Sequence, residues 1–281
     1  MKVKDLREKF IADLEDLYDK DEIMSFFYIL TNKYLGMSRA SVAINLDNIV
    51  EKTEKDCFEL AKNDLIKFKP LQYIVGDTAF YGLEIRVDEN VLIPRPETEE
   101  LVGWILKDIE TKKKINILDI GTGSGCIAIA LKKNLPGANV TAIDVSQGAL
   151  KIAKLNAKLN NVEINFRQLN ILDVEELEDK YDIIVSNPPY VRELEKKEIK
   201  NNVLDYEPHL ALFVKDQDPL VFYVKITDLA KNALQEKGKL YFEINQYLGD
   251  ETIAMITEKG LNEVMLKKDI YGNDRMIRAG F

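Results

Sequence analysis

The chain has 281 residues, 46% of them hydrophobic, with a net charge of −9 and a pI near 5.0. This length accommodates one large domain and a small one, and the apolar content supports a packed core rather than disorder. The acidic balance speaks against a protein that grips nucleic acid by bulk charge. Two cysteines, Cys57 and Cys126, stand outside any CxxC pattern, and there is a single histidine, His209. No metal or redox site is therefore expected, and both thiols read as buried groups in a reducing compartment. Residues 1–7 are charged and lack an apolar signal core, and no run reaches the length of a membrane span, so a cytoplasmic protein is expected.

Residues 1–75 read as helical. Leu6, Phe10, Leu14 and Leu17 fall on one stripe, and Ile23, Phe26, Phe27, Leu30 and Tyr34 repeat it. Gly36 is placed to end the second helix and Ser38 to cap a short third one. Phe58, Ala61 and Leu65 mark another helix before Pro70. The result is a small helical bundle, either a packing cap or a partner-docking module. Residues 80–87 alternate as a strand, residues 88–90 read as a turn, and Val91-Leu92-Ile93 as the returning strand of a hairpin. Pro94-Arg95-Pro96-Glu97-Thr98-Glu99 then opens a helix, with Glu97 and Glu99 at its positive end. Lys112-Lys113-Lys114 reads as a solvated loop.

Residues 115–120 form a strand, Gly121-Thr122-Gly123-Ser124-Gly125 a glycine loop, and residues 126–131 the start of a helix. Strand, glycine loop and helix open a Rossmann-like unit, in which the backbone approaches a ligand closely. The loop lacks the third-glycine spacing of a dinucleotide site and the lysine of a P-loop, and Asp119 stands two residues ahead of it. A second strand, 139–143, ends at Asp144, placed to accept both hydroxyls of a ribose; capping of the following helix by Asp144 or Ser146 is the structural alternative. A third strand, 163–169, leads to Asn170, whose oxygen is an acceptor for an adenine amine, with Asp173 nearby. Later strands are expected at 239–244, 261–267 and 275–279, with a helix at 224–234 and turns at Gly238 and Gly260.

The apolar run 181–185 reads as a buried parallel strand, followed by Ser186-Asn187-Pro188-Pro189-Tyr190. Neither proline can donate to a ladder, so the chain is forced out at the strand's carboxyl end, where ligands bind in open α/β sheets. The Asn187 side-chain oxygen and the Pro188 carbonyl can accept both hydrogens of one planar –NH2 group, and Tyr190 offers a flat face to stack on it. That suits an amide or a base amine rather than a tetrahedral ammonium. His209 reads as a structural loop histidine, and Lys196, Lys197 and Lys200 as surface.

Asn-Pro-Pro-Tyr resembles the signature of methyltransferases acting on planar nitrogens, and the chain as a whole resembles the release factor glutamine methyltransferases, the PrmC/HemK family. Gly76, Phe80 and residues 92–99 resemble that family's linker, residues 119–125 and 186–190 its two ligand loops, and Tyr206-Glu207-Pro208, Ala211-Leu212 and residues 271–275 its later blocks. The resemblance runs from about Pro70 to Arg278 and is looser over the N-terminal helices. It implies a Rossmann-like, seven-stranded S-adenosylmethionine-dependent methyltransferase sheet, its last strand antiparallel, over residues 99–281. A helical substrate-docking domain at 1–75 and a β-hairpin linker at 76–98 would precede it. It implies methylation of the glutamine amide in a Gly-Gly-Gln loop of peptide chain release factors, by a monomer with no metal, no membrane and no nucleic-acid substrate. Asp119, Gly121, Thr122, Gly123, Ser124, Gly125, Asp144, Asn170 and Asn187 would meet the cofactor. Asn187, Pro188, Pro189 and Tyr190 would meet the substrate, with Asn187, Pro188 and Tyr190 catalytic. The rival readings are a glutamine methyltransferase acting on a ribosomal protein, an adenine or cytosine methyltransferase, a nicotinamide oxidoreductase and a non-catalytic scaffold.

Overall fold

The structure, a computed structural model, describes residues 1–109 and 114–281. Lys112 and Lys113 of the expected solvated loop lie outside the described residues, and Lys114 is exposed. Backbone proximity groups the chain into two units, Met1–Gly76 with Asn201–Tyr206, and Asp77–Lys200 with Glu207–Phe281.

The smaller unit holds α1 (Val3–Leu14), α2 (Lys20–Leu35), α3 (Arg39–Ile44), α4 (Lys52–Ile66) and α5 (Leu71–Val75). Leu6, Phe10 and Leu14 of α1 meet Ile23, Phe27 and Leu30 of α2 and Phe58, Ala61 and Leu65 of α4 in one core. The rings of Phe10, Phe27 and Phe58 stand 5.8–6.2 Å apart, a spacing that favours aromatic pairing. Leu17 departs from the expected stripe: α1 stops at Leu14, and Leu17 is 40% exposed. Gly36 ends α2 with φ +63°, and the Ser38 hydroxyl accepts from Ser41 N at 3.2 Å to cap α3.

The larger unit begins with a hairpin, β1 (Asp77–Phe80) and β2 (Leu83–Arg86). Its turn is Tyr81-Gly82, both at positive φ, the backbone that a two-residue turn between twisted strands requires. The hairpin thus closes earlier than the alternation suggested, and Val91-Leu92-Ile93 is not a returning strand. The expected turn at residues 88–90 does form, Val91 N donating to the Asp88 carbonyl at 3.1 Å, and buried Val91 and Ile93 lead into α6 (Pro96–Asp108), which has proline in its first turn and Glu97 and Glu99 at its positive end.

Then come β3 (Asn116–Ile120), α7 (Cys126–Asn134), β4 (Asn139–Asp144), α8 (Gln147–Leu159), β5 (Asn165–Gln168) and β6 (Tyr181–Ser186). After the short β7 (Val191–Arg192), α9 (Asn201–Tyr206) belongs to the smaller unit, and α10 (His209–Leu212) and β8 (Phe213–Val214) follow it. The chain closes with α11 (Val221–Ala233), β9 (Leu234–Glu243), α12 (Gly249–Glu258), β10 (Met265–Lys268) and β11 (Asp274–Ala279). Seven strands form one sheet in the order β10-β11-β9-β6-β3-β4-β5. β9, β6, β3, β4 and β5 are mutually parallel, and β11, last in the chain, runs antiparallel between β9 and β10.

One face of the sheet, with Leu118, Ile120, Ile184, Leu240, Phe242 and Ile277, packs on α11 and α12. Helices α6, α7 and α8 contact one another in series and contact the sheet. Burial on both faces explains why β3 and β6 read as continuous apolar runs. Gly238 ends a tight local loop of residues 235–238 that stands opposite Asp182 alone, a Cβ on it falling 3.0 Å from Gln235 N and O. It sits inside β9 at an irregularity against β6, where an added Cβ would stand 2.9 Å from the Tyr181 carbonyl. Gly260 follows α12 at φ +94° as a turn residue. Helix α12 lies between two expected strands where the sequence reading places no element.

After β3 the chain winds through α7, β4 and α8 to the β5 edge, then returns to lay β6 on the other side of β3. The loops leaving β3 and β6 therefore diverge, and a crevice opens between their carboxyl ends, as expected at a topological switch point.

Candidate active site

Both conspicuous loops leave the sheet at that switch point. The Ser186 hydroxyl donates to the Ile120 carbonyl at 2.7 Å, tying the tip of β6 to the tip of β3 where the glycine loop begins. A cavity of about 300 Å³ lies between them. It is lined by Gly121, Thr122, Gly123 and Ser124 on one side and Asn187, Pro188 and Pro189 on the other, with Asp144 and Asn170 at the ends of β4 and β5. Ile143, Leu169, Ile171, Leu172, Phe222 and Ile226 supply apolar wall.

The glycine loop is held from behind. Gly121 N and Thr122 N donate to the Ile143 carbonyl at 2.9 and 3.0 Å. Gly121 and Gly123 have φ +73° and +54°, and a Cβ on either would meet nothing within 4 Å. A side chain there would occupy open space that a ligand can use instead. Asp144 Oδ2 accepts from Gly123 N at 2.8 Å and Oδ1 from Ser146 N at 2.9 Å. The cap of α8 is the Ser146 hydroxyl, which accepts from Ala149 N at 3.1 Å, so Asp144 is not the capping residue. Burial pushes the Asp144 carboxyl above its ordinary range, while the backbone donors oppose that shift.

Three expected contacts are placed differently. Asp119 is fully buried behind the loop and is not part of the cavity wall. Its Oδ2 accepts from the Thr122 hydroxyl at 2.6 Å, and burial pushes its carboxyl up to about 7. That bond braces the glycine loop from behind, while the second oxygen, Oδ1, is buried without a hydrogen-bond partner among the described residues. Gly125 is also absent from the wall. It has φ +82°, and a Cβ on it would stand 3.1 Å from both Ala153 Cβ and Ile129 Cδ1, so it lets α7 and α8 approach. Tyr190 does not reach the cavity either. Its ring packs against the core cluster under α11 and α12, and its hydroxyl donates to Glu243 Oε1 at 3.1 Å.

Asn170 does line the cavity, yet its oxygen caps the following turn by accepting from Leu172 N at 3.2 Å. Its Nδ2 donates to Asp173 Oδ2 at 2.8 Å. His209 is exposed, lies edge-on to Phe213 at 5.2 Å and is not in the cavity wall. Cys126 lines the cavity, but burial pushes its thiol up to about 12, which leaves it a packing group. Cys57 is only partly buried. Lys196 pairs with Glu193 at 2.5 Å and sits over the Phe213 ring, while Lys197 and Lys200 are exposed.

Sequence reading missed several residues that build the site. Asn90, Leu92, Pro94, Arg95 and Thr98 line the cavity from the segment before and within α6. Buried Glu207 pins that segment, accepting from Ile93 N at 3.1 Å and from Arg95 Nη2 at 2.6 Å. Fully buried Asn156 donates to the Ser124 and Arg86 carbonyls at 2.9 Å and accepts from Arg86 N at 2.7 Å, joining the glycine loop to the hairpin. Behind Asn187, its Nδ2 reaches Thr98 Oγ1 at 3.3 Å, and the Thr98 hydroxyl donates to buried Glu243 Oε2 at 2.6 Å. The groups cohere around one use: a backbone cradle, an acidic acceptor and an apolar slot beside an amide acceptor. No group of His, Cys, Asp and Glu among the described residues is arranged to hold a metal.

A parallel sheet with one antiparallel strand near its edge, and a glycine loop at the switch point, defines the Rossmann-like methyltransferase class. Residues 102–208 match the methyltransferase small domain family. A solved methyltransferase from Pyrococcus furiosus shares the fold at a TM-score of 0.52 and 19% identity, covering 82% of this chain and 100% of that one. The release factor glutamine methyltransferase of Flavobacterium psychrophilum is 54% identical over all of both chains. That of Bacteroides thetaiotaomicron is 44% identical over 95% of each. The chain belongs to the release factor glutamine methyltransferase family. Among the described residues, no helix is long and apolar enough to cross a membrane.

Proposed function

We propose that this chain transfers a methyl group from S-adenosylmethionine to the side-chain amide nitrogen of the glutamine in the Gly-Gly-Gln loop of peptide chain release factors. The observation that carries the reading is that Asn187, Pro188 and Pro189 share one cavity with Gly121–Ser124 and Asp144. The cavity's fit to S-adenosylmethionine rests on the open space over Gly121 and Gly123 and on the partly buried Asp144 carboxylate. Gly121–Ser124 would take the methionine part, Asp144 the ribose hydroxyls, and the apolar wall the base. When bound, that cofactor supplies an electrophilic methyl on a sulfonium.

The protein's task is to make a weak nucleophile attack. An amide lone pair is delocalised into its carbonyl, and no cavity side chain here is a base strong enough to remove the proton first. The Asn187 side-chain oxygen and the Pro188 carbonyl would take both amide hydrogens and aim the nitrogen. Positioning of this kind is worth up to about 7–11 kcal/mol. Two fixed acceptors also favour the positive charge that develops on nitrogen during transfer. The methylated nitrogen would then lose its proton to solvent water. Tyr190 has no stacking role in this account and serves the Glu243 carboxylate instead. The charge of −9 supports a protein substrate over a nucleic acid, and a cytoplasmic monomer fits that use.

The test is transfer of labelled methyl to purified release factor, to its Gln→Ala variant, to a ribosomal protein fraction and to DNA. Label on the wild-type release factor alone is expected. Retention on the Gln→Ala variant, or label confined to another acceptor, would reject the assignment.

A further inference from the structure

We infer that Thr98 and Glu243 are positioning residues that set which edge of the Asn187 amide faces the substrate. The inference rests on the reading just given and concerns residues that touch neither reacting atom. A threonine hydroxyl has one proton and two lone pairs. Thr98 gives that proton to Glu243 Oε2 at 2.6 Å, a length characteristic of an O–H donor on a carboxylate. With its proton committed, Thr98 Oγ1 can only accept. Asn187 must therefore present Nδ2 to it, as it does at 3.3 Å. The amide is planar, so Oδ1 is turned to the opposite edge. An acceptor is what a substrate –NH2 needs there; the reversed amide would offer a donor against a donor.

Glu243 is 1% exposed and is itself oriented. Its Oε1 accepts from the Tyr190 hydroxyl at 3.1 Å, and Asn245 Nδ2 donates to the Tyr190 carbonyl at 3.0 Å, fixing the start of the strand after the prolines. Burial pushes the Glu243 carboxyl above its ordinary range, opposed by the Thr98 hydrogen bond, the Arg275 guanidinium and the Tyr190 hydroxyl; Arg275 is anchored to Asp269 at 3.2 Å and to the Ile244 carbonyl at 3.3 Å. The Glu97 carboxylate acts against it, raising Glu243 further. Thus Tyr190, from the sequence motif, and Arg275, near the chain's end, converge on one buried carboxylate that reaches Asn187 through Thr98.

The test combines kinetics with a readout that needs no substrate. In the free protein, the Asn187 side-chain 15N–1H pair should exchange slowly with solvent and lose that protection in Thr98→Val. An unchanged signal overturns the relay whatever the enzyme methylates. In methyl transfer to release factor, Thr98→Val and Glu243→Gln should each lower kcat about 10²-fold, as misorientation at a reacting centre does. Cofactor Kd should stay within about threefold, and Thr98→Ser, which keeps the hydroxyl, should stay within about threefold of wild-type kcat. The double variant should be no worse than either single one, since both act through one hydrogen-bond chain. Additive losses, or parallel losses of kcat, cofactor affinity and melting temperature, would assign these residues to general stability and overturn the proposal. A wild type that methylates no release factor would instead reject the proposed function and leave the 15N result to decide the relay.

Discussion

Asn187→Ala is expected to lower kcat for methyl transfer by about 10²–10³-fold, the range seen when one preorganised polar group facing a reacting centre is removed. The substitution deletes the side-chain acceptor but leaves the proline-stiffened backbone and the Pro188 carbonyl in place. The nitrogen then keeps one of its two restraints. Cofactor affinity should change little, because the glycine loop and Asp144 are held by Ile143, Ser146 and Asn156 rather than by Asn187. Single-turnover kinetics with calorimetric Kd values separate the two effects. Equal losses in both would mean that Asn187 builds the cavity instead of orienting the amide.

Asp144→Ala should do the reverse. Its carboxylate is the acidic acceptor at the cavity's β4 end and also holds Gly123 N at 2.8 Å. Removing it takes away charge-assisted hydrogen bonds worth about 1.5–3 kcal/mol each and frees the middle of the loop. Cofactor affinity should fall by roughly 10²-fold or more, and kcat at saturating cofactor should fall far less. Asp144→Asn, which keeps one acceptor oxygen, should lie between. An unchanged Kd in Asp144→Ala would remove the ribose role and leave Asp144 as a loop-holding residue only.

What could be read in advance was what is local in the chain. A glycine loop after an apolar strand, and two prolines after another, each declare a strand end within a few residues. The strand order then brings both to one crevice. Residues whose meaning depends on distant partners were not legible. Thr98 and Glu243 are 145 positions apart, Arg95 and Glu207 112, and Asn156 and Arg86 70. Each is unremarkable by residue type: a threonine in a first helical turn, a glutamate before a proline, an asparagine in a helix. A charged residue ending an apolar strand was the available signal for Glu243, since a carboxylate at a buried position demands partners.

The errors have the same origin. Tyr190 reads as a stacking face because an aromatic plate follows two acceptors, whereas its packing on the core and its bond to Glu243, 53 positions away, depend on residues distant in the chain. Asp119 belonged to the right loop and the wrong side of it. Asp88-Glu89-Asn90 does turn, with Val91 N donating to the Asp88 carbonyl at 3.1 Å, but among the described residues no strand returns from it to pair with β2. Tyr81-Gly82 has the backbone that closes the pair, with a tyrosine at a φ that such residues rarely adopt.

The central claim is that two acceptors hold the substrate amide flat, and it is tested most directly by a crystal structure with S-adenosylhomocysteine and a Gly-Gly-Gln peptide. The account predicts the glutamine amide nitrogen within about 2.7–3.2 Å of both Asn187 Oδ1 and the Pro188 carbonyl oxygen, pointing at the cofactor sulfur. A glutamine bound with its carbonyl oxygen in that position, or held outside the cavity, would contradict it.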